Sequence, residues 1–243
     1  MQHPAKIRTL LRTSKIAGIV EILIVFLVAL SFIWLLNPLT QDHAVLTQPV
    51  IWISNVLMLL LVWVSMKLHG DSWGDFGLRI RSVELVEGLK YLGIAFLVLF
   101  VTLIAYGFGS VIMVNITGIP ESADMSQYAY MQENFLLFIL TILGVLVVSS
   151  FGEEVIYRAF LINRIIALGN DSRIWKAIAV ILSAVIFGLV HYKWGAMGMV
   201  QTGFMGLSLG FFYLKLKKNL WILILAHAIM DITLMIQLYL GFL

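Results

Sequence analysis

The sequence predicts an all-α protein, a polytopic membrane bundle of about seven (seven to eight) transmembrane helices with a buried polar site. Composition points there first. Of 243 residues, 61% are hydrophobic and 12% charged, whereas soluble domains are roughly 45–50% apolar and 25% charged. The apolar residues gather into seven long runs separated by short polar segments. One of those runs ends on three ionisable residues, Glu153, Glu154 and Arg158. Each such group costs roughly 2.5–3.5 kcal/mol at membrane depth, so the cluster marks a site.

A helix that crosses hydrocarbon needs about 20 apolar residues. The candidate spans are Ile16–Leu36, Val50–Met66, Gly88–Phe108, the overlong Phe135–Phe160, Ile174–Val190, Ala196–Leu214 and Leu220–Leu240. They are read as helices because backbone in lipid must satisfy its own hydrogen bonds. Pro4, Pro38, Pro49 and Pro120 fall outside these runs, as uninterrupted helices require. Lys6, Arg8, Arg12 and Lys15 ahead of the first run imitate a signal peptide. That run lacks a clear small-residue cleavage site, so it reads as a retained span.

Lys and Arg set the orientation. Under strict alternation, fifteen of the sixteen fall on one side and only Lys193 opposite. The expected topology has a cytoplasmic N-terminus and an external C-terminus, in an integral membrane protein of a bacterial inner membrane. Residues 109–134 carry Glu121, Asp124 and Glu133 but no Lys or Arg, which suits an outer loop. Asp71 to Leu78 reads as a headgroup-level turn. Thr202, Gly206 and Gly210 form a ridge of small residues that permits close helix packing. No repeat or second domain is evident, so residues 1–243 form a single membrane domain. The absence of cysteine excludes disulfides, iron–sulfur clusters and thiolate metal sites.

Few ionisable groups lie within the spans: Glu21, Glu153, Glu154, Arg158, His191, His227 and Asp231. Glu21, one turn into the first span, is expected to snorkel. Glu154 and Arg158 are i,i+4 and share a face, while Glu153 points about 100° away on a regular helix, toward the side of Ser149 and Tyr157. One carboxylate is thereby neutralised and the other left to act. His3, His43 and His69 fall in loops. His227 and Asp231 are again i,i+4, so the Asp can hold the imidazole or ligate a shared metal.

These residues carry a resemblance. Glu-Glu-x-x-x-Arg at 153–158, Phe-x-x-x-His at 187–191 and His-x-x-x-Asp at 227–231, in that order on successive apolar helices, resemble the CPBP family. This is the group of CAAX prenyl endopeptidases and bacteriocin-processing enzymes, also called Abi proteins. The resemblance covers roughly residues 135–235. It implies an intramembrane endopeptidase acting on a membrane-associated protein or peptide in the lipid bilayer, with no nucleic-acid partner.

Two mechanisms are implied for such a site. In one, His191 and His227 with the carboxylates of Glu153 or Asp231 bind Zn²⁺, and a Glu activates the bound water. In the other, Glu153 with His191 draws a proton from water while His227 and residue 231 stabilise the oxyanion. The family has Asn or Asp at the last position. An ionised Asp231 cannot donate to an oxyanion, which tilts the expectation toward a metal or toward a role in orienting His227. A non-catalytic scaffold or immunity protein and a proton-coupled transporter are the competing classes.

Ideal alternation poses a difficulty. Glu153 and His227 fall in the cytoplasmic half and His191 near the outer end, an offset of roughly 10–20 Å. A single site then requires a tilted, shortened or broken helix between Gly152 and Lys193, expected to open a water-filled cavity from the cytoplasm.

Overall fold

The computed structural model describes residues 3–40, 44–79, 82, 84–118, 123 and 125–241. His43, Arg81, Pro120, Glu121 and Asp124 lie outside the described residues, as do the side chains of His3 and Pro4. Among the described residues there are helices and turns but no strand. A short α1 (His3–Thr13) precedes α2 (Lys15–Thr40), α3 (Ala44–His69) and α4 (Leu85–Thr117). A 3₁₀ turn, Ser126–Met131, leads to α5 (Phe135–Leu168), followed by α6 (Arg173–Val190), α7 (Gly195–Lys215) and α8 (Leu220–Tyr239). The seven helices from α2 to α8 are each long and apolar enough to cross a membrane. The protein is an all-α polytopic bundle.

Two expectations about helix ends are corrected. Pro38 and Pro49 lie inside α2 and α3. Each sits close to a helix end, where the missing N–H and the ring clash forfeit little of the hydrogen-bond ladder. His3 and His69 are likewise helical rather than in loops.

α5 organises the bundle. Residues Glu154–Ile162 are all buried, so the helix runs through the centre rather than along the lipid face. Its middle is not a regular α-helix. Val145–Phe151 and Glu154–Ile162 adopt the wider π turn, which is rare and found mostly at functional sites. The helix carrying Glu153 is therefore not a regular α-helix through its middle.

Around α5, α2 packs on α3, while α4 and α6 both pack on α7. The small-residue ridge makes the α6–α7 contact: a Cβ on Gly206 would lie 3.2 Å from the Ala184 backbone, and one on Gly210 3.1 Å from Val180. Gly188 of α6 is tighter still, since its Cβ would meet the Met199 carbonyl at 2.5 Å. Between α4 and α7 runs a polar ladder. Thr102 and Ser208 hydroxyls lie 2.9 Å apart, Tyr106 donates to Gln201 at 2.7 Å, and Gln201 donates to Ser110 at 2.8 Å.

The end of the bundle that carries most Lys and Arg is closed. Glu21 does not snorkel. It is buried, accepts a hydrogen bond from Ser65, and lies 3.0 Å from His69 Nε2 and 3.5 Å from Arg164 Nε. Arg164 also bonds Asp71 at 3.2 Å, which pairs in turn with Arg12 at 3.3 Å. The segment Asp71–Leu78 is a turn as expected, but it plugs the bundle: Phe76 and Leu78 are buried. Ser72 donates to Asp75 through its backbone N–H and its hydroxyl, at 2.8 and 2.7 Å, which holds that carboxyl below the usual range. Gly77, with φ +89°, offers its carbonyl to the Leu220 N–H at 3.3 Å. A Cβ there would fall 1.8 Å from the Lys218 carbonyl.

Candidate active site

The π-helical register of α5 sends Glu153 and Glu154 to opposite nitrogens of one imidazole. His227, buried on α8, has its Nδ1 at 2.9 Å from Glu154 Oε1 and its Nε2 at 4.0 Å from Glu153 Oε2. A carboxylate can only accept, so Nδ1 carries the proton toward Glu154. Asp231, one turn along α8, reaches the same Nε2 at 3.5 Å and accepts a hydrogen bond from Ser150 at 2.8 Å. The residue that fixes the ring through Nδ1 is thus Glu154, while Asp231 joins Glu153 on the reactive side.

Glu154 also meets Arg158 Nη1 at 3.0 Å, both fully buried. That approach is an ion pair without hydrogen-bond alignment, and Arg158 Nε, Nη1 and Nη2 have no acceptor among the described residues. The guanidinium carbon instead lies over the Phe187 ring, 4.4 Å from its centroid. A desolvated cation over an aromatic face is stabilised by the ring quadrupole.

His191 caps the C-terminus of α6. Its Nδ1 is 2.7 Å from the Phe187 carbonyl, which only accepts. The proton therefore sits on Nδ1 and Nε2 is left as the acceptor. Phe187 and Trp194 hold the ring edge-on at 4.8 and 4.7 Å, and the far side of Phe187 meets the His227 ring at 6.4 Å. One aromatic side chain thereby spaces the two histidines. The depth difficulty eases because α5 runs on to Leu168, past its expected end at Phe160, so that Glu153 lies near its middle rather than toward the Lys/Arg-rich end.

Glu153, His191, His227 and Asp231 all line one cavity of about 530 Å³. Glu154 and Arg158 lie behind it, in the wall. The cavity was expected to open from the cytoplasmic, Lys/Arg-rich end, and this is corrected: it lies toward the other end. Its lining comes from the second half of α2, the first half of α3, the middle of α4, the 3₁₀ turn and the connection at Tyr192–Trp194, all toward the opposite end. The reason is the plug: the Glu21–Arg164–Asp71 cluster and the 71–78 turn fill the other end.

Two contributors carried no sequence signal of their own: Ser150 read as a small residue within a span, and Tyr128 as part of an uninformative loop, whereas Ser149 already fell on the Glu153 side. Burial and the nearby Asp231 carboxylate push the Tyr128 phenol above its ordinary range, so it stays protonated. Two adjacent polar residues one turn before Glu153 were the available hint for Ser150.

Among the described residues, no group of three His, Asp or Glu side chains is arranged to hold a metal ion. His227 Nδ1 lies against Glu154 and His191 Nδ1 against a backbone carbonyl. Bonds of this kind also orient metal-ligating histidines, so the two Nε2 atoms are the nitrogens that could reach an ion.

A family profile described as Rce1-like, type II CAAX prenyl endopeptidase, matches residues 135–233. That is a little under half the chain and runs from the start of α5 into α8. Searches of curated proteins and of solved structures return no match. Residues 135–233 are thus similar to the Rce1-like type II CAAX prenyl endopeptidases, in agreement with the resemblance of the three motifs to the CPBP group.

Proposed function

We propose that the protein is an intramembrane endopeptidase in which Glu153 activates water for attack on a peptide bond. The family match supports a protease in general terms. The observation that carries the specific reading is the shared cavity. Glu153 Oε2 faces His227 Nε2 at 4.0 Å within a space that also holds His191 and Asp231.

In this reading Glu153 takes a proton from water that also donates to His191 Nε2. The resulting hydroxide attacks the carbonyl carbon. His227, held through Nδ1 by Glu154 and carrying a second proton on Nε2 between two carboxylates, donates to the developing oxyanion. As the C–N bond breaks, the Glu153 carboxyl returns its proton to the leaving amine. Asp231, anchored by Ser150, orients His227 and does not act as a donor. Arg158 balances Glu154 in the wall.

The reading is metal-free, favoured by the lack, among the described residues, of any three His, Asp or Glu side chains arranged to hold a metal ion. Chelation of the purified protein is expected to leave cleavage unchanged, whereas loss on chelation with recovery on Zn²⁺ would establish the zinc branch. Glu153→Gln is expected to lower cleavage by roughly 10²–10⁴-fold with the fold retained. A non-catalytic scaffold would keep its cellular phenotype in that variant.

A further inference from the structure

The cavity has an uneven polarity. Its walls are mostly apolar, yet three neutral polar atoms between the Lys193 end and Glu153 are buried without a partner among the described residues: Gln48 Oε1, Trp52 Nε1 and Gln127 Oε1. Gln48 is only 6% exposed. Buried polar atoms left unpaired cost roughly 1–3 kcal/mol each, and native structures keep few of them. Here two acceptors and one donor, all uncharged, line the approach to the base. That is the complement of a peptide main chain, which alternates N–H donors with C=O acceptors.

The direction of approach follows from the two ends of the bundle. Toward the Lys/Arg-rich end, the Glu21–Arg164–Asp71 network and the buried Phe76 and Leu78 close the interior. Toward the Lys193 end, the cavity is lined by Gln48, Gln127, Tyr192 and Lys193. α2 and α4 both line the cavity through Phe26, Leu30, Leu99 and Leu103, yet they pack on other helices and not extensively on each other. The positive-inside rule puts the Lys/Arg-rich end in the cytoplasm.

We propose that this site takes its substrate from the non-cytoplasmic side, as an extended, membrane-anchored peptide whose main chain is held by Gln48, Trp52 and Gln127 on the way to Glu153. The apolar anchor lies between α2 and α4, and the polypeptide descends past the three polar side chains. The proposal rests on the endopeptidase reading for its chemistry, but its access route stands apart from it.

Both parts are testable on the full chain, which has no native cysteine. Gln127→Cys and Lys193→Cys are expected to react with a membrane-impermeant maleimide in intact cells. Lys217→Cys should react only after permeabilisation. The reverse pattern overturns the access route, and neither result depends on catalysis. For a substrate identified by its Glu153-dependent cleavage, Gln48→Met and Gln127→Met are each expected to raise KM roughly fivefold with kcat unchanged. An unchanged KM, or a loss confined to kcat, overturns the clamp. A chain that labels as predicted but generates no Glu153-dependent ends keeps its access route and loses both the protease reading and the clamp.

Discussion

Glu153 and Glu154 are adjacent in sequence, chemically identical and set against the same imidazole, yet they do different work. Glu154 is sealed in the wall between Arg158 and His227 Nδ1, while Glu153 borders the cavity. Removing Glu154 leaves a buried guanidinium without its counter-charge, which costs about 3–5 kcal/mol. Glu154→Leu and Arg158→Met are therefore each expected to lower the thermal midpoint in detergent markedly. The double variant should lose less than the two single losses added together, because an apolar pair can replace a buried ion pair. Additive losses would show that the two do not act as a pair. At this scale the sequence was informative: i,i+4 spacing announced the Glu154–Arg158 pair and the His227–Asp231 pair. It did not announce that Glu154 holds His227, since that contact joins residues 73 positions apart and depends on how α5 meets α8. Glu21 was misjudged for the same reason. Its partners Ser65, His69 and Arg164 come from α3 and the far end of α5.

At the scale of elements, the site depends on a wide-turn helix and a short one. The π segments of α5 place two consecutive carboxylates around one ring, and the 18-residue α6 ends at His191. The sequence called for a tilted, shortened or broken helix between Gly152 and Lys193 and did not announce the π turns, because apolar periodicity does not distinguish i→i+4 from i→i+5 pairing. Close packing holds these helices in place. Gly188→Ala would drive a methyl group toward the Met199 carbonyl, now 2.5 Å from that position, and overpacking of this kind costs roughly 1–3 kcal/mol. The expected outcome is a lower thermal midpoint with part of the activity retained. Gly77→Ala should be harsher, since φ +89° disfavours any side chain and the Lys218 carbonyl occupies the space. Its expected consequence is loosening of the plug, read as new thiol reactivity at Ser65→Cys in the Gly77→Ala background. Unchanged reactivity would show that the turn does not seal that end.

At the scale of the molecule, span number and helical class were legible from hydropathy alone, because lipid permits a backbone so few solutions. All seven candidate runs became helices that are long and apolar enough to cross. The cavity and its direction were not legible. They arise from α2, α3 and α4, the part of the chain outside the family match, where no motif marks Gln48, Trp52 or Tyr128. The family-matched segment supplies Glu153 and the two imidazoles, and α2, α3 and α4 supply much of the room in front of them. The central claim is that Glu153 in this room hydrolyses peptide bonds. It is tested most directly by comparing peptide termini in membranes of cells expressing the intact chain and its Glu153→Gln variant at equal levels. New termini that appear with Glu153 and vanish with Gln are predicted; identical sets of termini in the two membranes would contradict the account.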